Sequence, residues 1–498
     1  MTSASASVTR NVLASWLTHG VAIVVGLFLM PYVLGVLGER SYGSWVFINS
    51  LASYAGLLYF GFGDTISRYV AKYHAAGDHA KVNRVVTLVL GVYVVMGSVA
   101  LLVSGALAAA APWLCDWTDQ HLTEIRLTIL VLGLNVAVGM TGSVFGGVLM
   151  GLRRFDLERA VGCATDLVRV ALIVLFLHRE WGLLTIALIF LVVTILENLG
   201  CLILAYQCFP QLRIRREYLC RDMLRECSSF SAMSFLNAVA YQLTAATDSV
   251  VIGILLGAEA IVPYYIALRL TQFIRQPIEK IAVICMPTAG ALSAETERSK
   301  LNRLLLQAVG LVFLLSSGMF VGGWFFGGDV IRAWMGDHYV ASHTLLAILL
   351  GAQVLSLPCS ILRAFLFGIG DTRSPAILYL IEAVLKVVLS VVLCQAWGVV
   401  GVAWGTFIPV VLVELSCLLP YSVRRLNLTW RRFWSEAIGP QLTPLAALVV
   451  YSAVVSQQAW SHNGWLTLVS VTLGGGAVLG AVWLAAQRTV RQRVATPA

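Results

Sequence analysis

Apolar stretches of about twenty residues recur along the whole chain, and they restrict its fold more than any other feature. A stretch of that length is what an α-helix needs to cross about 30 Å of hydrocarbon. Only 12% of the 498 residues are charged and 59% are hydrophobic, whereas a soluble domain carries about a quarter charged residues. No alternation of apolar and polar residues competes with these stretches. They therefore predict a helical bundle in a membrane and not a β-barrel.

The stretches predict an all-α polytopic membrane protein with about fourteen transmembrane helices. Their boundaries are defined to within a few residues, because the ends of helices carry the weakest sequence signals. The predicted spans are 11–34, 42–62, 84–109, 125–150, 159–176, 182–207, 229–256, 261–286, 304–326, 344–367, 375–394, 398–419, 438–455 and 465–486.

Lys and Arg are concentrated in alternate loops. Residues near the end of a span are grouped with the adjoining loop. Of the 34 residues of these two types, 25 then fall in the tails and on one side, Arg363 among them, four on the other side and five deep inside spans. Cytoplasmic loops carry the positive excess in membrane proteins, so both termini are predicted to be cytoplasmic. The net charge of +9 is thus a signal of topology, and we do not interpret it as nucleic-acid binding.

The two halves of the chain match each other at offsets between 216 and 219 residues. One match joins "KVNRVVTLVLG" from Lys81 to "KLNRLLLQAVG" from Lys300. Each copy holds six spans, so both enter the membrane from the same side and are related by a pseudo-two-fold axis along its normal, as in many transporters. For the two spans outside the repeat, an accessory groove, a partner contact and no function are all open. The predicted domains are one six-helix lobe at 1–212, a second at 213–430, and two further spans with a cytoplasmic tail at 431–498.

Three segments resemble a known family. The first is "GVLGERSYGSWVFINSLASYAGLLYFGFGDTISRYVAKYHAAGD" from Gly35, and the others are "TDSVVIGILLGAEAIVPYYIALRL" from Thr247 and "WGVVGVAWGT" from Trp397. They resemble polysaccharide-type (O-antigen/oligosaccharidyl-lipid) flippases of the multidrug/oligosaccharidyl-lipid/polysaccharide exporter superfamily. The resemblance covers roughly residues 10–421 and leaves the last two spans outside.

The resemblance implies a twelve-span core of two lobes that flips an undecaprenyl-pyrophosphate-linked oligosaccharide across the bacterial inner membrane. It implies alternating access coupled to a proton or sodium gradient, for polysaccharide biosynthesis. A drug/cation antiporter of the same superfamily and a peptidoglycan lipid precursor flippase remain alternatives, while short outward loops disfavour a glycan polymerase or ligase. The sequence carries no Walker motif or nucleophile constellation, so we expect no enzyme activity and no cofactor. The expected partners are the lipid-linked oligosaccharide, the coupling ion, membrane lipids and polysaccharide assembly proteins, without nucleic acid.

Charged residues inside the predicted spans are candidates for function, because a charge near the bilayer centre costs several kcal/mol. The repeat aligns Asp166 and Arg169 with Glu382 and Lys386, in each case an acid followed by a base about one helical turn later. Such a pair either neutralises itself inside the bundle or lines a cavity for ion coupling or head-group contact.

Glu197 aligns with Glu414, and neither has a basic neighbour within one turn of its own helix. Each is therefore protonated, paired with a cation of another helix, or exposed to water. Asp248 in span seven either pairs with Arg269 of the neighbouring span or carries the coupling proton or sodium. The candidates for ion coupling or gating are Asp248, Asp166, Glu382, Glu197 and Glu414.

Span eight carries Arg269, Arg275 and Lys280, which have no counterpart in the first half. Arg269 and Lys280 lie about 16 Å apart along the helix on nearly the same face, and a kink at Pro277 would bring Arg275 closer to that face. Cations at several depths suit a pyrophosphate that crosses the membrane, since Arg binds phosphate oxygens in pairs. Alternatively, the long side chains extend to the two membrane surfaces. The candidates for the head-group site are Arg269, Arg275, Lys280, Arg169 and Lys386.

Overall fold

A computed structural model describes residues 2–59, 62–114, 122–177, 182–218, 221–292, 298–458 and 464–495. All regular elements within these ranges are helical, which confirms the predicted all-α class. The helices of the first half are α1 (Thr2–Ser53), α2 (Phe62–Ala75), α3 (His79–Leu114), α4 (Leu122–Gly151), α5 (Phe155–Phe176) and α6 (Gly182–Cys208). Those that follow are α7 (Arg221–Leu256), α8 (Ile261–Ala291), α9 (Arg298–Met335), α10 (Ser342–Gly368), α11 (Arg373–Pro409), α12 (Leu419–Arg425), α13 (Trp430–Arg432), α14 (Gly439–Ser456) and α15 (Trp465–Ala495).

Nine helices of the described ranges are long and apolar enough to cross a membrane. The helices at predicted spans five and eight are not among them, since α5 and α8 carry the charges discussed above. Two long helices each hold one predicted span and the beginning of the next, and both are broken by a glycine with positive φ, at Gly38 in α1 (78°) and at Gly398 in α11 (60°). Glycine adopts this left-handed region without steric cost. The chain is thus polytopic, and the total of about fourteen crossings stays a prediction.

Two compact units make up the chain, Met1–Val262 and Pro263–Ala498. In the first, α4 packs between α3 and α6, and their buried side chains include Tyr93, Met140 and Val148. In the second, α9 packs on α10, around a core that includes Leu305 and Phe365. The lobe boundaries at 212/213 and 430/431 stay a prediction.

Equivalent asparagines make the same kind of contact in each half. Asn83 of α3 donates its Nδ2 hydrogen to the Gln211 carbonyl (3.0 Å), and its Oδ1 accepts from the Arg213 backbone N–H (3.1 Å). Asn302 of α9 donates to the Leu426 carbonyl (3.4 Å). Each asparagine thus ties the start of the third helix of its half to the loop after the sixth. This correspondence supports the internal repeat found in the sequence.

The last two spans pack against each other and against α9. Phe326, Val455 and Val471 form a small buried cluster, and the Tyr451 hydroxyl donates to the Val471 carbonyl at 3.1 Å. Next to α14 lies an apolar groove of about 640 Å³. Its lining includes Phe313, Pro358, Leu362, Arg431, Trp434 and Leu442. The role of the last two spans stays a prediction.

Candidate functional site

A polar cavity of about 440 Å³ lies among the helices of the first half. Close packing of α4 on α6 is possible because α4 is rich in glycine, and Gly139, Gly142 and Gly146 all border the cavity. The hydroxyl groups of Tyr59 and Ser143 are hydrogen-bonded at its edge. The other polar residues of the lining are Ser53, Asn135, Glu158, Thr194, Glu197 and Asn198.

Glu197 is the acidic residue of α6 in this cavity. Within the described ranges, its carboxylate takes part in no hydrogen bond or ion pair. The charges of Arg169, Asp166 and Glu158 act on it electrostatically. The Oδ1 of Asn135 is also buried without a partner among the described residues. The cavity therefore presents acceptor oxygens, which a cation can use.

Asp166 and Arg169 form an ion pair of 2.9 Å on α5, with side chains 37% and 29% exposed. The Arg169 guanidinium also lies 5.0 Å from the centre of the Phe190 ring. Both charges are thus largely satisfied by their immediate neighbours. Of the two interpretations left open by the sequence, self-neutralisation agrees with this geometry, while any role in coupling or head-group binding stays a prediction.

A buried charge cluster occupies the second half. Arg363 of α10 donates a hydrogen bond from Nη1 to Glu414, and the same nitrogen lies 3.9 Å from Glu382. The three side chains are 15%, 0% and 7% exposed. The guanidinium also stands 5.1 Å from the Tyr379 ring centre. Lys386, 5% exposed, acts electrostatically on Glu382. Two acids and two bases thus share a site that excludes water.

Glu414 lies on a π-helical segment, Val410–Leu418, which directly follows Pro409 of α11. Proline lacks an N–H and its ring clashes with the carbonyl four residues earlier, so the regular α-helical ladder is interrupted there. Short π-helical segments are often found at functional sites. The wider turn places the Glu414 carboxylate within reach of α10, so that of the three states considered from sequence, pairing with a cation of another helix is the one found.

One expectation from the sequence is wrong here. Arg363 was expected with the loop cations of the cytoplasmic side, yet α10 continues to Gly368 and encloses it. A signal was present, since apolar residues continue on both sides of Arg363. Glu382 lies 3.9 Å from Arg363 and also interacts electrostatically with Lys386. Both interpretations of the Glu382 and Lys386 pair therefore stay predictions.

The cations of α8 differ in their surroundings. Arg269 donates to Gln272 Oε1 (3.1 Å) and lies 5.6 Å from the Phe273 ring centre, and within the described residues it has no carboxylate partner. Arg275 donates to Glu279 Oε1 at 2.6 Å. Glu279 was not considered among the charged candidates. The helix runs through Pro277 without a break, and Lys280 is exposed.

Asp248 of α7 is 2% exposed. Its neighbour Thr247 has its hydroxyl oxygen 2.5 Å from that of Tyr54, and Gln242 of the same helix donates to Ser53 Oγ at 2.6 Å. Hydrogen bonds therefore join α7 to the end of α1 beside Asp248. The expected pairing of Asp248 with a residue of α8 stays a prediction.

Similar proteins agree with this architecture. The family of polysaccharide biosynthesis proteins matches residues 8–293, more than half of the chain, and the MatE family matches residues 234–392. The uncharacterized membrane protein EpsK of Bacillus subtilis (strain 168) is 20% identical over 471 residues, 93% of this chain and 92% of the relative. The probable low-salt glycan biosynthesis flippase Agl15 of Haloferax volcanii is 22% identical over 182 residues, 36% of this chain and 39% of the relative.

Solved structures show the same fold. The lipid II flippase MurJ, in an inward closed conformation, aligns with a TM-score of 0.73 at 13% identity and covers 98% of this chain and 100% of its own. An inward-facing multidrug resistance MATE family transporter of the MOP superfamily aligns with a TM-score of 0.65 at 18% identity, over 81% of this chain and 98% of its own. The fold class expected from the sequence, that of a polytopic helical transporter, is confirmed.

Proposed function

Because the chain belongs to the family of polysaccharide biosynthesis proteins, within the MOP superfamily of transporters, we propose that it flips an undecaprenyl-pyrophosphate-linked oligosaccharide across the bacterial inner membrane. Transport by alternating access requires no covalent chemistry, so the protein acts without a catalytic group. Both termini lie in the cytoplasm, where the loops carry most of the Lys and Arg residues. Membrane lipids surround the chain, and polysaccharide assembly proteins receive the flipped product.

Arg269 carries the proposal for the cargo. Its guanidinium lies on a helix of the membrane bundle with an amide and an aromatic ring as neighbours. A cation that meets no carboxylate in such a place is retained for a ligand more often than for stability. Arg275 and Lys280 extend the site along the same helix toward the cytoplasm. Arg169 and Lys386 are the weaker members, because acids of their own lobes surround them.

Glu197 is the first candidate for ion coupling. The cavity around it supplies the oxygen ligands of Tyr59, Ser143 and Asn135, which suit either a sodium ion or a proton on the carboxylate. Asp248 is the second candidate, because it is buried beside hydroxyl groups. Asp166, Glu382 and Glu414 contribute to gating through their ion pairs.

Two other functions have specific support. A drug/cation antiporter is favoured by the match to the MatE family and by the MATE fold. A flippase for the peptidoglycan lipid precursor is favoured by the alignment with MurJ, which extends over the last two spans. Arg269 of α8, which meets no carboxylate among the described residues, suits an anionic head group and not a cationic drug, so the antiporter ranks below the two flippases.

Deletion of the gene, followed by location of the lipid-linked sugars, tests the proposed function. We expect the oligosaccharide precursor to accumulate in the cytoplasmic leaflet, with unchanged peptidoglycan synthesis and unchanged drug sensitivity. A plasmid copy of the wild-type gene is the control and restores export. Normal export together with increased drug sensitivity would overturn the proposal in favour of the antiporter, and a block in peptidoglycan synthesis would overturn it in favour of the lipid II type.

A further inference from the structure

The internal repeat aligns α4 with α10 at an offset of 217 residues. Ser143 and Ser360 each donate to the carbonyl three residues earlier, Met140 in one half and Leu357 in the other, at 2.8 and 2.6 Å. The same offset of 217 residues that relates these serines relates Glu197 to Glu414. The carboxylates of the two halves therefore occupy equivalent places on their sixth spans.

The same register aligns Gly146 with Arg363. In the second half the guanidinium fills the space beside Glu414, whose side chain is 0% exposed. In the first half this place holds no side chain, and a polar cavity of about 440 Å³ borders both Gly146 and Glu197. One difference between the two lobes is therefore an arginine at this position of α10, where α4 has a glycine.

We propose that Arg363 is a tethered cation, which permanently fills in the second half the site that the first half keeps open for a mobile cation. This inference rests on the proposed ion coupling at Glu197. A buried carboxylate is unstable without a cation or a proton. In the second half the guanidinium of Arg363, which is part of the chain, neutralises Glu414. In the first half a cation from solution neutralises Glu197. Coupling is consequently confined to one such site in each chain.

The cavity has room for the corresponding side chain. A Cβ atom added at Gly146 would meet only Glu158 Cγ, at 4.0 Å. The unpartnered Oδ1 of Asn135 would remain as an acceptor in the same lining. In the second half, by contrast, the groups that face Arg363 are Glu414, Glu382 and the Tyr379 ring. Gly146→Arg can therefore fill the open site of the first half, and Arg363→Ala can open the filled site of the second half.

Guanidinium rescue of Arg363→Ala tests the tethered cation without any transport measurement. The melting temperature of the purified variant should fall by about 5–10 °C. Millimolar guanidinium chloride should restore most of this loss and leave the wild-type value unchanged, whereas equal concentrations of sodium chloride should restore less. Arg363→Lys is the conservative control and should lose less than half as much. Absence of a guanidinium-specific shift would overturn the inference.

Gly146→Arg provides a second test in case Arg363→Ala does not fold. The variant should insert normally, and the dependence of transport on a sodium or proton gradient should fall at least tenfold. Gly146→Gln adds similar bulk without charge and should keep at least half of the dependence. Gly146→Arg with the gradient dependence of the wild type would contradict the inference.

The two tests separate this inference from the proposed function. If the wild-type protein flips its cargo with no dependence on either gradient, the ion coupling of the proposed function fails and so does the mobile site of the first half. If the dependence exists and is lost in Glu197→Gln but guanidinium does not rescue Arg363→Ala, only the tethered cation fails.

Discussion

Arg153 and Gly370 occupy equivalent positions of the two halves and share a left-handed backbone, with φ of 61° and 90°. Each follows a helix that ends with the same pair of hydrogen bonds: the Arg153 and Arg154 N–H groups donate to Met150 and Leu149, and those of Gly370 and Asp371 donate to Phe367 and Leu366. This is the helix end that favours glycine. The first half therefore has a β-carbon where the second half avoids one.

Arg153→Gly should raise the free energy of unfolding, because a residue with a β-carbon pays about 1–2 kcal/mol in this conformation. Greater backbone freedom of glycine in the unfolded chain removes part of the gain, which leaves about 0.5–1 kcal/mol. Thermal unfolding in detergent measures the change. Arg153→Ala keeps the strained backbone and is the control, and an equal gain in both variants would point to the loss of a charge instead.

Arg363→Met should lower the free energy of unfolding by about 3–5 kcal/mol, since it leaves two buried carboxyl groups without their cation. Adding Glu414→Gln to the same chain should recover part of this loss, because one uncompensated charge disappears. A double-mutant cycle on thermal unfolding measures the coupling. Strict additivity of the two substitutions would show that Arg363 and Glu414 do not stabilise each other.

The two equivalent asparagines should differ in their contribution to stability. Asn83→Ala removes two hydrogen bonds and should cost about 2 kcal/mol, whereas Asn302→Ala removes one longer bond and should cost about 1 kcal/mol. Unfolding of the two variants in parallel provides the comparison. Equal losses would mean that burial of the asparagine, and not its hydrogen bonds, determines the effect.

Asp78 caps the N-terminal end of α3. Its Oδ1 accepts from the Lys81 backbone N–H at 3.0 Å, and this hydrogen bond holds the pKa of the Asp78 carboxyl below its usual range. Because the folded pKa is lowered, the cap is intact above the ordinary pKa of aspartate and is lost as the pH falls through the lowered value. Hydrogen exchange at the Lys81 amide should therefore lose protection only under strongly acidic conditions.

Asp78→Ala should remove that protection at every pH, and Asp78→Asn should keep a weaker cap that does not respond to pH. Both variants change only the capping residue before α3, so they report on the cap alone. A pH response of the Lys81 amide that persists in Asp78→Asn would assign the titration to another group.

The helical class and most of the long apolar helices could be predicted because hydropathy alone determines them. The equivalence of Glu197 and Glu414 was likewise readable from the repeat. The partner of Glu414 was not, because it depends on how α10 packs against α11 and against the π-helical segment Val410–Leu418. Interhelical pairs such as Arg363 with Glu382 join residues from different helices, and the sequence of one helix carries no information on its neighbour's register.

The pairing of Arg275 with Glu279 shows a different limit. Their spacing of four residues on one helix is a standard ion-pair signal, and it was available in the sequence. Arg269 now stands as the cation of α8 whose neighbours are neutral within the described residues, and the cargo proposal depends chiefly on it.

The most direct test of the flippase is the rate at which a fluorescent undecaprenyl-pyrophosphate-linked oligosaccharide crosses proteoliposomes that contain wild-type protein or Arg269→Ala. Arg126→Ala, which removes an exposed arginine at the start of α4, is the matched control. We predict rapid flipping by the wild type and the control, and at least a tenfold loss in Arg269→Ala at equal insertion, because the head group loses its cation. Wild-type rates in Arg269→Ala and Arg275→Ala, or no flipping by the wild type under either ion gradient, would contradict the account.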